Sequence, residues 1–307
     1  MKRELQELCM AMAILTSATI MALSPDAYLP MLARAFIVPT VLLCLVAAMV
    51  AAWRRKWWVL QSALLACGML AVQVRIPVAG TDGARTQGLR VLHMNVLQPN
   101  TAFNAVIERA MESEADLISF QEVGPEWACA LREGLAERYP YTHVEERTNC
   151  YGIALFSKRP FNRVRTIVIR SAPFIEAIVN VQDEPVRVLT VHATSPISYG
   201  HFKRRNEQLR TLAAYLGRTD TTTIVVGDLN TVPWDGSFIR FCARAGLHST
   251  TPSMQRTWPS WGPLALIPLD HVLVSPDVRP AALRTVNIPG SDHRGVLADL
   301  NILGNAR

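Results

Sequence analysis

The amino-terminal part of the chain contains three long apolar runs separated by short polar turns. The runs cover residues 8–23, 35–53 and 57–74, and none of them contains a charged side chain. Each approaches the roughly 20 residues that an α-helix needs to cross a bilayer. We therefore predict three transmembrane helices, with Pro39 tolerated in the second because neighbouring helices can re-satisfy the backbone. A cleaved signal sequence is the alternative for the first run, and a helical hairpin buried in a soluble protein for the other two.

The positive charges predict how these helices are oriented. Basic residues cluster at 2–3 and 54–56, whereas the turn at 24–30 contains none. Because cytoplasmic loops are enriched in Lys and Arg, both basic ends should face the cytoplasm, and Arg34 must snorkel at the opposite turn. With three spans, the chain after about residue 75 is then periplasmic. This describes a multi-pass protein of the bacterial cytoplasmic membrane with a cytoplasmic N-terminus.

A different pattern begins after residues 78–87, whose glycine and small polar residues indicate a linker. The predicted organisation is a membrane anchor over 1–77, this linker, and an outer domain over 88–307. In the outer domain, β-prone apolar runs alternate with amphipathic segments. The predicted strands cover 89–94, 117–120, 153–157, 164–169, 175–181, 186–192, 223–226, 270–274 and 295–302, and the predicted helices 103–113, 126–138, 202–216 and 237–245. Hairpin-like runs mixed with crossover helices indicate an α/β fold with two packed sheets flanked by helices.

The net charge of +6 belongs mostly to the anchor. Residues 1–80 contain seven Lys and Arg against three Asp and Glu, and the rest of the chain 24 against 22. The outer domain, at +2, therefore gives no general electrostatic case for nucleic-acid binding. Local basic stretches at 158–170 and 203–205 are interpreted as solvated faces, with contact to anionic substrate or lipid headgroups as the alternative.

The six cysteines divide between the two regions. Cys9, Cys44 and Cys67 lie in the apolar runs and resemble small apolar residues there. In the outer domain, an oxidising compartment would permit a disulfide, and Cys129 with Cys150 is the nearest pair in sequence. No spacing resembles a zinc site.

Five polar motifs follow β-prone runs in the outer domain, each where a strand end would deliver it into a shared cleft. They are Asn95, Gln121-Glu122, His192, Gly227-Asp228-Leu229-Asn230 and Ser291-Asp292-His293. Taken singly, each has an ordinary interpretation, such as a surface carboxylate, an Asx turn or a satisfied core histidine. Their occurrence together favours one site for metal-assisted phosphoester cleavage, which needs charge neutralisation, an oriented nucleophile and help for the leaving oxygen.

The residue types suggest a role for each member of this set. Glu122 and Asn95 offer the hard oxygen ligands that Mg²⁺ or Mn²⁺ prefers, and Asp292 is available to the same metal. Asp228 can orient or deprotonate a water, Asn230 can donate to a phosphoryl oxygen, and His192 can hydrogen-bond a phosphate oxygen. Asp270, at a strand start, can fix the tautomer of His293 as a general base.

With these motifs, residues from about 89 to 303 resemble the endonuclease/exonuclease/phosphatase superfamily, the fold of DNase I and of neutral sphingomyelinases. The resemblance implies a four-layer α/β/β/α sandwich and one or two Mg²⁺ ions. It also implies that His293 and Asp270 form the base pair, that Glu122 holds metal, and that Asp228 with Asn230 positions nucleophile and phosphate. The segments 151–158, 232–234 and 257–259 are similar to membrane-anchored bacterial members, including the teicoplanin-resistance (VanJ-like) proteins.

The anchor influences the choice of substrate class. A tether at the outer leaflet raises the effective concentration of an active site toward lipid-linked phosphates and gains little against soluble nucleotides. We therefore expect hydrolysis of a phosphoester or pyrophosphate on a lipid-linked substrate, with membrane lipids as partners and no protein partner. An extracytoplasmic nuclease is the leading alternative. A non-catalytic membrane-binding protein on the same fold is the alternative of another class.

Overall fold

The structure, a computed structural model, describes residues 2–74, 88–217, 221–250, 255–261 and 265–303. The predicted linker at 78–87 lies outside these residues. The chain divides into two compact units, one of Met1–Ile76 with Val232–Gly236 and one of Pro77–Thr231 with Ser237–Arg307. The first unit contains the apolar helices, and the strands of the described residues lie in the second.

The apolar runs of the first unit form helices. They are α1 (Lys2–Leu23), α2 (Tyr28–Ala35), α3 (Ile37–Trp53) and α4 (Trp57–Gln73). Among the described residues, α1 is long and apolar enough to cross a membrane, and the pair α2 and α3, bent by 61°, passes the same test together. At 17 residues, α4 is shorter. The structure thus has one helix of spanning length, or two if the bent pair is a single span, where the sequence predicted three.

The break between α2 and α3 has a local cause. Pro39 lacks the N–H that would bond the carbonyl of Ala35, so a continuous helix through Phe36 would lose a hydrogen bond. Pro39 instead occupies the first turn of α3, where a missing N–H costs little. Arg34, at the end of α2, donates to the carbonyls of Ser24 and Pro25 and pairs with Asp26 at 2.9 Å. Its charge is therefore satisfied by the preceding turn.

The second unit contains two six-stranded sheets and four helices within its described residues. In chain order its elements are β1 (Gly88–Asn95), α5 (Phe103–Glu112), β2 (Leu117–Gln121), α6 (Pro125–Leu135), β3 (Tyr141–Glu145), β4 (Ile153–Ser157), β5 (Phe161–Ile169), β6 (Ala172–Val181), β7 (Glu184–His192), α7 (Tyr199–Leu216), β8 (Thr223–Asp228), α8 (Gly236–Ala245), β9 (His248–Ser249), β10 (Asp270–Val274), β11 (Val278–Asn287) and β12 (Arg294–Ile302). The first sheet has the order β11-β12-β1-β2-β4-β3, and the second β5-β6-β7-β8-β10-β9. The pairs β1–β2 and β7–β8 are parallel, and the remaining pairs are antiparallel.

Three apolar clusters show how these elements are layered. One cluster combines residues of both sheets, among them Val91 and Val226, and fills the space between them. A second packs α5 and α6 on the first sheet around Trp127, and a third packs α7 and α8 on the second sheet around Phe241. Each sheet thus buries one face on the other sheet and one face under helices. The predicted four-layer α/β/β/α sandwich is confirmed.

Three strands were not predicted, and all three lie at sheet edges. β3 and β11 close the two ends of the first sheet, and β9 ends the second. Edge strands need little apolar alternation because one side faces solvent. The segment 278–287 also contains a bulge between Pro280 and Ala282, which interrupts its period of two. These edges therefore lack the pattern by which the central strands were recognised.

The proposed disulfide does not form in the structure. Cys129 and Cys150 are free and exposed. Cys129 lies on α6, where its thiol donates to Glu133 at 3.5 Å. Nearness in sequence did not make them partners because the pairing of two cysteines depends on the approach and direction of their Cβ atoms.

Candidate active site

Three of the predicted site residues lie side by side at one end of the second sheet. His192 ends β7, Asp228 ends β8 and Asp270 begins β10. The register pairs His192 with Asp228 and Asp228 with Asp270. Because β7 and β8 are parallel while β10 runs antiparallel to β8, two strand ends and one strand start meet at the same edge. The three side chains are buried together.

The first sheet contributes Asn95 and Glu122 to the same place. Asn95 ends β1 opposite Gln121 of the parallel strand β2, and Glu122 follows directly. The Asn95 amide donates to Glu122 Oε1 at 3.1 Å and to Asp228 Oδ2 at 3.2 Å. One amide therefore connects two carboxylates, one at the end of β8 in the second sheet and one directly after β2 in the first.

Glu122 has a backbone conformation that is unusual for a glutamate. Its φ is +63°, which costs an L-residue roughly 1–2 kcal/mol. Its Oε2 accepts the backbone N–H of Gln98 at 3.0 Å. Left-handed backbone at a polar residue is often found at functional sites, where the surroundings impose it.

His293 approaches from the loop before β12. Its Nδ1 lies 2.9 Å from Asp270 Oδ2, and its Nε2 lies 3.8 Å from Asp228 Oδ2. The loop is held by Ser291, whose hydroxyl donates to the Asn95 carbonyl at 2.8 Å and accepts the N–H of His293 at 3.0 Å. The predicted pair of His293 and Asp270 is therefore in hydrogen-bond contact.

The N–H groups of Asn230 all donate to acceptors within the protein. Its backbone N–H donates to Asp228 Oδ1 at 2.8 Å, and its side-chain amide donates to the Ala193 carbonyl at 2.9 Å and to Asp228 Oδ2 at 3.2 Å. Both amide protons are thus in use. The sequence suggested donation to a phosphoryl oxygen, whereas the geometry suits Asn230 to orienting Asp228.

The basic stretch at 203–205 has two environments. Lys203 and Arg204 are exposed on α7, and the Lys203 ammonium lies 5.4 Å from the centre of the Tyr199 ring. Arg205 is fully buried, and its Nη1 donates to the Asn230 carbonyl at 2.9 Å. The solvated-face interpretation fits the first two residues, while Arg205 supports the loop that positions Asp228.

Gly227 sits where no other residue fits. Its φ is +148°, and a Cβ would lie 1.9 Å from the Val191 carbonyl oxygen and 2.9 Å from Gln121 Nε2. We expect Gly227→Ala to destabilise the fold by about 1–3 kcal/mol, because β8 must move away from β7. Chemical denaturation measures this loss. Gly200→Ala on α7 is the matched control, since a Cβ there meets only Ser198 Oγ at 3.9 Å; equal stability of the two variants would contradict the packing argument.

His192 and Asp292 complete the predicted set. The Nε2 of His192 lies 3.7 Å from Asp228 Oδ2, and burial lowers the pKa of this histidine, which favours a neutral ring. Asp292 Oδ2 accepts from Trp258 Nε1 at 2.9 Å. Its Oδ1 is buried and has no hydrogen-bond partner among the described residues. All eight predicted residues therefore lie in or beside this cluster.

Burial and the charges of neighbouring residues shift the pKa values of the acids and bases in the cluster. Burial, and then the charge of Asp270, raise the pKa of Asp228. Burial alone would lower the pKa of His293, but Asp270, Asp228 and Asp292 raise it above its usual value. Burial alone would raise the pKa of Asp270, but His293 and His93 hold it well below its usual range. The cluster therefore contains an imidazolium paired with Asp270 and a carboxyl, Asp228, that readily takes a proton.

The donor set fits a hard divalent cation. Ligand atoms of Asp228, Asp270 and His293 lie within 4.8 Å of one another. Both oxygens of Asp270 are already held by imidazoles, so this residue suits hydrogen bonding better than metal binding. Among the described residues, Asp228 and Glu122 accept hydrogen bonds only from amide N–H groups, and Asp292 Oδ1 has no hydrogen-bond partner. Their carboxylate oxygens are hard ligands of the kind that Mg²⁺ or Mn²⁺ prefers. A cation there would offset the crowding that raises the pKa of Asp228.

Two features of the cluster were not predicted. His93 lies within the apolar run of β1, where it looked like a strand residue, and its Nε2 lies 2.6 Å from Asp270 Oδ1. Gln121 was noted beside Glu122, but its own role was missed: its Oε1 accepts the N–H of Asp228 at 3.3 Å, and its amide donates to Ser119 and Thr190. A polar residue interrupting a buried run was the available signal for His93.

A family model identifies the chain. The model of the Endonuclease/Exonuclease/phosphatase family matches residues 92–293, which is more than half of the sequence. The chain belongs to the endonuclease/exonuclease/phosphatase family. Members of this family are hydrolases that act on phosphoester bonds, typically with a divalent metal. No functionally curated protein matches this family member significantly.

Solved structures of the family share the fold. A humanised TDP2 from D. rerio aligns with a TM-score of 0.59 and 16% identity over 70% of this chain and 100% of that chain. An endonuclease/exonuclease/phosphatase from Beutenbergia cavernae aligns with a TM-score of 0.57 and 19% identity over 71% and 72%. Sphingomyelinase C from Streptomyces griseocarneus aligns with a TM-score of 0.52 and 20% identity over 69% and 99%. At these identities the likeness establishes a DNase I-like α/β fold.

Proposed function

We propose that this family member is a membrane-anchored, divalent-metal-dependent phosphoesterase. Its substrate would be a phosphoester or pyrophosphate on a lipid-linked molecule at the outer face of the cytoplasmic membrane, as in the VanJ-like branch. The observation that carries the phosphoesterase assignment is the buried cluster in which Asn95 connects Glu122 to Asp228, opposite His293. Such convergence of acid, base and metal-binding groups is typical of a hydrolytic site.

The geometry suggests how the residues divide the chemistry. Asp228, whose pKa is raised, accepts the proton of the attacking water, and Asn230 orients its carboxylate. His293, kept cationic by Asp270, stabilises negative charge on the phosphoryl oxygens, and neutral His192 donates to one of them. A cation bound by Glu122 and Asp292 would neutralise charge on the phosphoryl group. This assignment moves the role of general base from His293 to Asp228.

The first unit supports a membrane setting. Only 17% of the apolar window of α1 is buried, whereas the core helix of a soluble protein is mostly buried. Trp53, Trp57 and Trp58 are exposed by 79%, 60% and 59% beside the basic turn. Apolar surface of this extent is expected in contact with lipid, and tryptophans are enriched at membrane interfaces. The hairpin buried in a soluble protein is therefore less favoured.

A basic groove in the second unit suits an anionic surface. It lies between α7 and α8, has a volume of about 420 Å³, and is lined by Lys203, Arg210, Arg240 and Arg244. The carboxylate on its wall, Glu207, pairs with Arg170 outside the groove and lies 3.6 Å from Arg210 Nη2 within it. Each cation near an anionic headgroup layer contributes roughly 1 kcal/mol. This supports lipids as neighbours, although nucleic acid offers phosphates too.

The fold itself does not select the substrate. One solved relative is D. rerio TDP2 complexed with a single-strand DNA product, and another is a sphingomyelinase. The test is a phosphate-release screen of the full chain in detergent with Mg²⁺, comparing a lipid pyrophosphate, a lysophospholipid, nucleotides and plasmid DNA. We expect turnover of a lipid substrate. Plasmid cutting without lipid turnover would replace our proposal by the nuclease, and no turnover by folded protein would favour the non-catalytic alternative.

The proposed topology can be tested through exposed thiols of the second unit. Cys129 and Cys150 are exposed, so a membrane-impermeant maleimide should label them on spheroplasts without lysis if this unit is periplasmic. The variant carrying Cys129→Ser and Cys150→Ser is the control for labelling elsewhere. Labelling of these thiols only after lysis would refute the outward orientation.

The raised pKa of Asp228 predicts how metal binding depends on pH. Below that pKa the carboxyl carries a proton, which removes a negative charge beside the cation site of Glu122 and Asp292, so proton and metal binding oppose one another. We expect the Mg²⁺ concentration for half-maximal activity to rise as pH falls from neutral toward acid. Mg²⁺ titrations of phosphate release at several pH values measure it. A half-maximal concentration independent of pH would contradict the competition.

A further inference from the structure

The Asp270 carboxylate lies between two imidazoles. His93 Nε2 is 2.6 Å from Oδ1, and His293 Nδ1 is 2.9 Å from Oδ2. We propose that His93 is a positioning residue that fixes the Asp270 carboxylate and thereby holds His293 in its working orientation. This inference rests on the proposed function, because it names a further residue for the same reaction.

The contact joins the two sheets directly behind the site. His93 is on β1 of the first sheet and Asp270 on β10 of the second, 177 residues further along the chain. Both side chains are completely buried. At a place so shielded from water, a hydrogen bond to a carboxylate is strong, and a carboxylate oxygen left without a donor is costly. His93 therefore supplies the donor that water cannot.

The proton arrangement follows from the partners. A carboxylate held ionised only accepts, so the ring nitrogen facing it must carry hydrogen. His93 Nδ1 has no hydrogen-bond partner among the described residues, which leaves Nε2 as the nitrogen that does the bonding. Within the described parts of the chain, Asp270 is thus the polar partner of the side chain, and this contact explains a buried histidine in the strand.

Holding both oxygens has a geometric consequence. A carboxylate bound on one side can rotate about its terminal torsion, which is broad for aspartate. With Oδ1 fixed by His93, the plane of the carboxylate is set, and Oδ2 directs the ring of His293. The Nε2 of His293 then faces Asp228 Oδ2 at 3.8 Å. Loss of His93 should leave substrate binding intact and misdirect the group that acts on the phosphoryl oxygens.

Graded substitutions separate positioning from packing. His93→Gln keeps an N–H donor at the position of Nε2. The side chain of His93→Asn is too short for its amide to reach Asp270 Oδ1, and His93→Ala removes the donor altogether. His271→Gln is the matched control, because His271 is equally buried on β10 and bonds the Thr231 carbonyl at 2.8 Å rather than Asp270.

The kinetic test uses the full chain in detergent with Mg²⁺ and bis(4-nitrophenyl) phosphate as the probe. We expect His93→Ala and His93→Asn to lower kcat about 10–100-fold with little change in KM, as for other residues that orient a catalytic group. His93→Gln should recover most of the loss, and His271→Gln should retain the wild-type kcat. If Gln is as poor as Ala, or if the His271 control loses as much kcat, the inference is wrong.

A second measurement does not depend on activity. In protein labelled with ¹⁵N-histidine, the His293 resonance can be assigned by its absence in His293→Gln. We expect His93→Asn to shift the ring signals of His293 and His93→Gln to leave them near the wild-type positions. Unchanged signals in His93→Asn would overturn the inference. If the wild type is inactive but the ring signals of His293 shift as expected, the proposed function is wrong while the positioning role of His93 remains supported.

Discussion

Asp228→Asn is expected to lower phosphate release by about 10³-fold while the protein still folds, since a general base typically contributes 10²–10⁴-fold. Asparagine keeps the size of the side chain and an oxygen for the N–H of Asn230, which now bonds Asp228 Oδ1 at 2.8 Å. It cannot take a proton from water, and it removes one negative charge from the cation site. The loss should therefore appear in kcat and in the Mg²⁺ requirement together.

The measurement is steady-state phosphate release with the best substrate of the screen, beside circular dichroism and thermal unfolding of the same sample. Asp183→Asn makes the same chemical change at an exposed carboxylate in the turn between β6 and β7 and should keep wild-type activity. Activity of folded Asp228→Asn within about tenfold of wild type would contradict the assignment of the base.

Removal of divalent cations is the second change with a large expected effect. Protein treated with excess EDTA should lose at least about 10³-fold in phosphate release, because metal stabilisation of transition-state charge is worth several kcal/mol. Mg²⁺ or Mn²⁺ should restore the activity. The reason lies in the donor set: Asn95 connects Glu122 to Asp228, and the charges of Asp228 and Asp292 both act on His293.

Two comparisons make the metal result specific. Glu122→Gln keeps the acceptor for the N–H of Gln98 and loses a charge, so we expect it to need more Mg²⁺ for half-maximal activity. Glu126→Gln, at the exposed start of α6, is the control and should titrate like the wild type. Full activity in excess chelator, confirmed metal-free by elemental analysis, would overturn the metal-dependent mechanism.

Most residues of the candidate site could be predicted from the sequence, because a polar residue at the end of an apolar run can be recognised from its immediate neighbours. His192 and Asp228 end strands of the same direction, and such ends meet at one edge when the strands are neighbours. The sequence did not reveal that the side-chain amide of Asn230 donates both its protons to acceptors within the protein. Nor did it reveal that the Asp270 carboxylate is hydrogen-bonded to two histidines. Those contacts depend on how closely segments far apart in the sequence approach one another in the fold.

Other differences between the predictions and the structure also arise from how the elements pack. The stretch at 203–205 was interpreted as a solvated face, yet Arg205 is buried under the loop of Asn230, because α7 presents that side of its turn to the second sheet. This agrees with the structural support that the family resemblance implied for Arg205. The edge strands β3 and β11 were missed, since one solvated side leaves no apolar alternation to recognise. The helix break at Phe36 was within reach of the sequence, as the effect of Pro39 on the carbonyl of Ala35 is local.

By itself, the sequence determined the central strands and helices, the family resemblance, and the polar residues at the strand ends. It could do so because the spacing of apolar residues, and the polar residue that ends an apolar run, can be recognised within a short stretch of sequence. Only the tertiary structure decided which of these groups meet, that His93 bonds Asp270 across 177 residues of chain, and that burial among carboxylates raises the pKa of Asp228. Those outcomes depend on how two sheets pack face to face, because the field and the hydrogen bonds at a buried group come from every segment around it.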